Sequence, residues 1–318
     1  MPMKQRYNVY DNTTFVRRNY IRPMVHEKIR VAVTGANGQL GMELRRLAHS
    51  AQDMTFYFFS KAEWDIAIES INEERLTELK PDVVINAGAY TNVEKAEEET
   101  ENAMAANSLG PGYLAAACKK NGALPIHIST DYVFDGTKQE AYTEEDTVHP
   151  LNEYGRSKLG GERSIDAATD RYFILRTSWL FSNYGHNFYK TMVRLGKEKG
   201  SLSVVNDQKA SPTYARFLAE DILKLIRLKI VDHKPTPYGI YHYTQQGEAS
   251  WFDFAKEIMN KMKIDANVEP VDSNRFPTKA KRPAYSKLST RKWEEATGLP
   301  TRTWQEGVHA CAEDSEDH

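Results

Sequence analysis

Residues 31–41 constrain the fold more than any other part of the chain. The apolar run Val31-Ala32-Val33 passes directly into Thr34-Gly35-Ala36-Asn37-Gly38-Gln39-Leu40-Gly41, and helical spacing follows, with Leu40, Leu44 and Leu47 on one face. A strand that turns on glycines into a helix is a site where backbone can approach a phosphate. Gly35 permits the tight turn, Gly38 lets the backbone come close to a pyrophosphate, and Gly41 allows close helix–strand packing. The helix N-terminus adds free N–H groups and partial positive charge. A glycine-rich turn alone is a weak sign; its place between strand and helix strengthens it.

Further apolar runs recur at Thr55–Phe59, Val83–Ile85, Ile126–Ile128 and Tyr172–Leu175, separated by helical stretches such as 92–107 and 109–120. Near-continuous apolar strands alternating with helices predict a parallel sheet covered on both faces, the doubly wound, Rossmann-like α/β class. The expected organisation is an N-terminal extension over 1–28, a mainly NAD(P)-binding domain over 29–178, and a smaller substrate lobe over 179–310 whose strands return to the main sheet. An acidic tail, 311–318, is expected to fray. The acidic stretch Glu94–Glu101 reads as a solvated helix face.

Composition narrows the class of function. The chain has 318 residues and a formal net charge of -2, so nothing calls for nucleic acid as a partner. No apolar run is long enough to span a bilayer. Cys118 and Cys311 lie far apart and near no histidine at metal-ligand spacing, so the sequence supports neither a disulfide framework nor a metal site, and a reducing cytoplasm is the expected setting.

Two segments refine the cofactor. The tip of the second strand reads Phe59-Ser60-Lys61, with no carboxylate before Glu63. An acid there would grip the ribose hydroxyls of NAD; Ser60 and Lys61 instead suit a 2′-phosphate, so NADPH is expected, with NADH accepted. The small residues of Asn86-Ala87-Gly88-Ala89 leave room for a cofactor across the strand ends.

Tyr154 and Lys158 are four apart, hence on one face of a helix, and Thr130 ends the strand before it. Hydride delivery to a ketone leaves charge on oxygen that must be protonated. A free tyrosine titrates near ~10, and an ammonium beside it would favour the phenolate. Lys158 is expected to do this and to hold the nicotinamide ribose, while Thr130 orients the carbonyl. The glycines at 155, 160 and 161 weaken the same helix, each by about 1 kcal/mol relative to Ala, and imply a closely packed neighbour.

The glycine spacing resembles the short-chain dehydrogenase/reductase superfamily. Ser129-Thr130-Asp131-Tyr132-Val133-Phe134-Asp135-Gly136, Pro150-Leu151-Asn152, and Tyr154-Gly155 with Lys158-Leu159 and Gly161-Glu162 closely resemble the dTDP-4-dehydrorhamnose reductase family. Arg176–Trp179, Asn187-Phe188, Asn206–Gln208, Pro212-Thr213, Arg282-Pro283 and Ser286 extend the resemblance over roughly 29–310. It implies NAD(P)H-dependent reduction of a nucleotide-linked 4-keto sugar at C4. It also implies roles: Gly38, Gln39 and Leu40 at the pyrophosphate; Asp65 and Ile66 at adenine; Ala89, Tyr90 and Thr91 along the cofactor; Thr130, Asp131 and Trp179 at the sugar; Arg282 at the diphosphate. Some members are said to use magnesium at a dimer contact, so a homodimer is an open expectation, while no ligand cluster here supports Mg2+.

Two alternatives stay open on sequence. One is a reductase of another nucleotide 4-keto-6-deoxysugar; a dehydratase would want an Asp-Glu pair after Thr130, where Asp131-Tyr132 stands. The other is a non-catalytic regulatory subunit on the same fold, resembling that of methionine adenosyltransferase.

Overall fold

The computed structural model describes residues 28–316. The expected N-terminal extension, Lys28 apart, lies outside the described residues. β1 (Ile29–Thr34) leads through the glycine turn into α1 (Gln39–Ala48), then β2 (Met54–Phe59), α2 (Glu69–Leu79) and β3 (Val83–Asn86). Two short helices, α3 (Val93–Ala96) and α4 (Thr100–Met104), pass through a π-helical turn at Ala105–Leu109 into α5 (Gly110–Asn121) and β4 (Leu124–Thr130). A 3-10 turn at Asp131–Val133 precedes α6 (Glu153–Ala168) and β5 (Phe173–Thr177). The chain continues with β6 (Leu180–Phe181), α7 (Phe188–Lys199), β7 (Ser201–Val205), β8 (Lys209–Ala210), β9 (Thr213–Tyr214) and α8 (Ala215–Ile230). It ends with β10 (Gly239–His242), β11 (Ala249–Ser250), α9 (Trp251–Lys261), β12 (Asn267–Val271), α10 (Arg291–Thr297) and α11 (Trp304–Glu316).

The main sheet is parallel throughout, in the order β10-β5-β4-β3-β1-β2. Alternate side chains along each strand serve opposite faces. Val31, Val33, Ile85, Ile126 and Leu175 pack with Leu40 and Leu44 of α1 and with Leu218 and Ile222 of α8. Ala32 and Val84 face the other way, against Leu76, Leu114 and Cys118. Burial on both faces explains why the inner strands read as continuous apolar runs. Neighbours of β1 are reached in opposite directions, so a crevice opens beyond the C-terminal ends of β1 and β3, where ligands settle in such sheets. A second apolar cluster, around Phe181, Tyr189, Phe254 and Trp304, belongs to the later part of the chain, and β10 returns to the main sheet beside β5.

Three expectations are corrected. The stretch read as one helix over 92–107 is broken into α3, α4 and the π turn. Pro111 has no N–H for the carbonyl one turn back, and the Gly110 N–H reaches Ala105 O instead. Glu94–Glu101 is no solvated face. Glu94 accepts from Lys279 N and Arg282, Glu98 pairs with Lys279, Glu97 accepts from Glu153 N, and Glu99 accepts from the Tyr90 hydroxyl. Nor does the acidic tail fray through its described part. α11 runs to Glu316, Cys311 and Ala312 are buried, and Asp314 pairs with Arg46 and Arg216 and accepts from the Tyr214 hydroxyl.

Candidate active site

The glycine turn behaves as its spacing predicts. Gly35 has φ +71°, and a Cβ there would lie 2.4 Å from Gly88 Cα; a Cβ on Gly41 would lie 2.5 Å from Gly35 O. β1 and β3 thus approach backbone to backbone. Gly38, the N-cap of α1, makes no side-chain cap, and the first turn carries no acid. The amides opening α1 are therefore offered to an anion. Leu40 is buried, and the Gln39 amide bonds Leu180 O and Asn187, so both would serve a phosphate through their backbone N–H groups.

At the tip of β2 the structure answers the Ser60–Lys61 reading differently. Ser60 donates from both its amide and its hydroxyl to one Glu63 oxygen, at 2.8 and 2.6 Å. Lys61 is exposed and 3.8 Å from Asp65. A carboxylate supplied three residues late thus occupies the strand tip, and Ser60 is already engaged by it. Asp65 closes its own turn, accepting from the Ala67 amide at 3.1 Å, and Ile66 is buried against Gly110.

Past β3 come Ala87, Ala89, Tyr90 and Thr91, with Ala89 and Thr91 exposed. Sequence reasoning missed the residue that holds them. Asn107, in the π turn, accepts from the Tyr90 amide at 2.8 Å and donates to the Tyr90 carbonyl at 3.0 Å and to Ser157 Oγ at 3.0 Å. Two turns explain the glycines of α6: the π turn crowds Gly160 and Gly161, and the 3-10 turn at Asp131–Val133 crowds Gly155. A Cβ on Gly161 would sit 2.1 Å from Asn107 O, one on Gly160 2.4 Å from Ser108 Oγ, and one on Gly155 2.2 Å from Tyr132 O.

Asn152 caps α6 by accepting from Gly155 N at 2.8 Å and donates to Lys281 O at 2.8 Å. Tyr154 and Lys158 follow on one face, beside the end of β4. Thr130 caps the 3-10 turn, accepting from Tyr132 N at 3.2 Å, and its hydroxyl reaches Asp131 at 3.1 Å. Asp131 is buried and accepts from Ser286 Oγ at 2.5 Å. Burial pushes its carboxyl up to about 7, against the hydrogen bonds from Ser286 and Thr130.

The expected effect of Lys158 on Tyr154 is not what the structure shows. The Lys158 amine turns to Ile128 O at 2.6 Å and His127 Nε2 at 3.2 Å. Burial pushes the Tyr154 phenol up to about 12, with a Thr130 hydrogen bond pulling the other way. Burial also brings Lys158 down to about 8, against the pull of Glu162. Desolvation outweighs the Thr130 hydrogen bond, so Tyr154 rests as a protonated phenol, the form a proton donor needs.

Trp179 stacks on Trp251 with ring centroids 3.5 Å apart and planes 8° from parallel, so one face is covered. Its φ of +47° is unusual for a bulky residue. Arg282 bonds Glu94 at 3.2 Å, and its buried Nε has no partner among the described residues. Among the described residues no group of three or more His, Cys, Asp or Glu could hold a metal. No described helix is long and apolar enough to cross a membrane. A groove of about 640 Å³ beside α7, lined by Tyr184, Tyr189 and Met262, contains none of these site residues.

A doubly wound parallel sheet, an open helix N-terminus at its switch point and a half-buried Tyr154 with a buried Lys158 beside the end of β4 define a nicotinamide-dependent oxidoreductase. The RmlD substrate binding domain family matches residues 29–316. The chain is 40% identical over 285 residues to the dTDP-4-dehydrorhamnose reductase of Aggregatibacter actinomycetemcomitans, covering 88% of this chain and 97% of that one. The crystal structure of dTDP-4-dehydrorhamnose reductase from Bacillus anthracis in complex with NADP superposes with a TM-score of 0.85 at 40% identity, covering 90% and 99% of the two chains. A Clostridium acetobutylicum orthologue gives 0.85 at 40% identity, covering 91% and 100%. The chain belongs to the dTDP-4-dehydrorhamnose reductase family.

Proposed function

We propose that this protein reduces the C4 ketone of dTDP-4-dehydro-L-rhamnose to dTDP-L-rhamnose. Tyr154, on α6 beside the end of β4, carries the reading: a half-buried phenol, protonated at neutral pH, on the same helix face as Lys158 and beside Thr130. NADPH, with NADH accepted, supplies the hydride when bound. The residues fit it: the uncapped amides of α1 suit the pyrophosphate, and the backbone contact of Gly35 with Gly88 keeps side chains out of the crevice.

As the C4 carbon gains the hydride, the carbonyl π electrons move onto oxygen. Tyr154 gives its phenolic proton to that oxygen, completing the secondary alcohol, and the phenolate regains a proton from solvent. Thr130 holds the carbonyl and Asp131, set by Ser286, steadies Thr130. Lys158 fixes the cofactor ribose, Trp179 offers its uncovered side to the sugar, and Arg282, beside Glu94, meets the substrate diphosphate. The reading needs no metal, nucleic acid or membrane. The setting is the reducing cytoplasm, in keeping with two free, buried cysteines, and the working unit is a homodimer, to be checked by light scattering.

The test is oxidation of NADPH or NADH with dTDP-4-dehydro-L-rhamnose made in situ. Tyr154→Phe should lose about 10²–10⁴ in turnover, the usual worth of a general acid, while still binding cofactor. Cofactor binding without substrate-dependent oxidation would sink this substrate and favour another keto sugar or a regulatory subunit.

A further inference from the structure

The register of the sheet puts three polar side chains in a row. Thr34 pairs with Asn86 across β1 and β3, and Asn86 pairs with His127 across β3 and β4. All three are buried, and the row ends at Lys158: Thr34 Oγ1 to Asn86 Oδ1 at 2.9 Å, Asn86 Nδ2 to His127 Nδ1 at 2.9 Å, and His127 Nε2 to Lys158 Nζ at 3.2 Å.

The direction of this chain can be read from one backbone amide. Gly88 N–H, which can only donate, faces Asn86 at 3.2 Å, so the atom it meets is the amide oxygen. The Asn86 nitrogen must then face His127 and donate. His127 Nδ1 therefore accepts and bears no proton, and the neutral ring carries its hydrogen on Nε2, pointing at Lys158. Burial keeps this histidine neutral. An Nε2–H can only donate, whereas an ammonium has nothing to accept with. A neutral amine satisfies both neighbours, accepting from His127 and donating to Ile128 O.

We propose that Asn86 and His127 are positioning residues that fix the Nε2–H tautomer and thereby bias the resting Lys158 toward its neutral amine. The inference rests on the reductase reading for its meaning, since Lys158 is the residue that reading assigns to the cofactor ribose. The other groups around Lys158 do not undo the bias. Glu162, one turn along α6, is the acid facing it, and this carboxylate is held by Arg176 of β5 at 2.9 and 2.7 Å and by Ser129 of β4 at 2.5 Å. Tyr154 on α6 rests uncharged, Asp131 beyond β4 is tied to Ser286 and Thr130, and His242 of β10 faces Arg176.

His242 supplies an internal standard for the test. It is also buried, but its Nδ1 faces the Tyr142 carbonyl at 3.1 Å, so it must be the Nδ1–H tautomer. Long-range proton–nitrogen NMR on the full-length, unliganded protein with nitrogen-labelled histidine should show two rings that do not titrate, of opposite tautomer. Two Nδ1–H rings would overturn the proposal. A second measurement follows the ε-carbon of Lys158 with pH in carbon-labelled lysine, with Lys158→Met identifying the signal. His127→Gln keeps the site neutral but can turn an oxygen toward the amine, so it should raise the Lys158 midpoint by about one pH unit or more. An unchanged midpoint would mean that burial alone depresses Lys158 and that the tautomer does nothing. Neither readout depends on turnover, so a failed assay with the proposed sugar leaves this inference standing, and its own failure leaves the reductase reading intact.

Discussion

Gly161→Ala should destabilise the protein and slow it, although the same change in an open helix would stabilise. By propensity alone, alanine in α6 gains about 1 kcal/mol over glycine. Here the added methyl would lie 2.1 Å from Asn107 O. An ordinary contact needs roughly 3.2 Å or more, so backbone must move by about an ångström, and overpacking of this kind costs about 1–3 kcal/mol. The carbonyl cannot easily give way. It lies in the π turn before Pro111, and its own side chain clamps Tyr90 at 2.8 and 3.0 Å. Steric cost should therefore exceed the propensity gain by up to about 2 kcal/mol, a loss of up to a few degrees in melting temperature for a chain this long. Because Tyr154 and Lys158 ride on the displaced helix, kcat/KM should fall about tenfold to a hundredfold, as misplacement near an ångström does elsewhere. Calorimetry and steady-state kinetics on one preparation decide it. A raised melting temperature with unchanged kcat/KM would refute the claim that the π turn, Gly160 and Gly161 form a single packed unit that sets the proposed catalytic pair.

Glu63→Gln should shift the ratio of kcat/KM values toward NADPH, because the carboxylate now bonded to Ser60 would repel a 2′-phosphate; an unmoved ratio places cofactor choice elsewhere. Asp131 gives a pH signature. Its folded pKa, about 7, lies above the ordinary value of 3.8, so its contribution is full below about 3.8 and is lost as pH rises through 7. Urea unfolding should therefore show Asp131→Asn gaining on the wild type between pH 4.5 and pH 7.5, and a constant gap would contradict the shift. Asp314→Ala strips a partner from Arg46, Arg216 and the Tyr214 hydroxyl and should cost about 2–4 kcal/mol in chemical denaturation, below the roughly 3–5 kcal/mol for breaking a fully buried ion pair because these side chains are partly exposed; a loss under about 0.5 kcal/mol would return α11 to the status of a loose tail.

What the sequence made legible is what local periodicity and spacing encode. Apolar runs marked the strands of the main sheet, the glycine spacing marked the tight turn between β1 and α1, and the i,i+4 relation put Tyr154 and Lys158 on one face. What stayed hidden depends on register and on pairs distant in the chain. Asn86 and His127 are 41 positions apart and meet only because β3 pairs with β4; Asn107 reaches Tyr90 only through the π turn that Pro111 imposes. Electrostatics failed for a related reason. The sign of the Tyr154 shift follows from how deeply α6 sits against its neighbours, and spacing says nothing about depth. Yet buried asparagine and histidine inside apolar runs, as in Val84-Ile85-Asn86 and Ile126-His127-Ile128, are a usable signal. A polar side chain in a doubly covered strand must find a partner, and aligning strand ends at a switch point tells which partner it has.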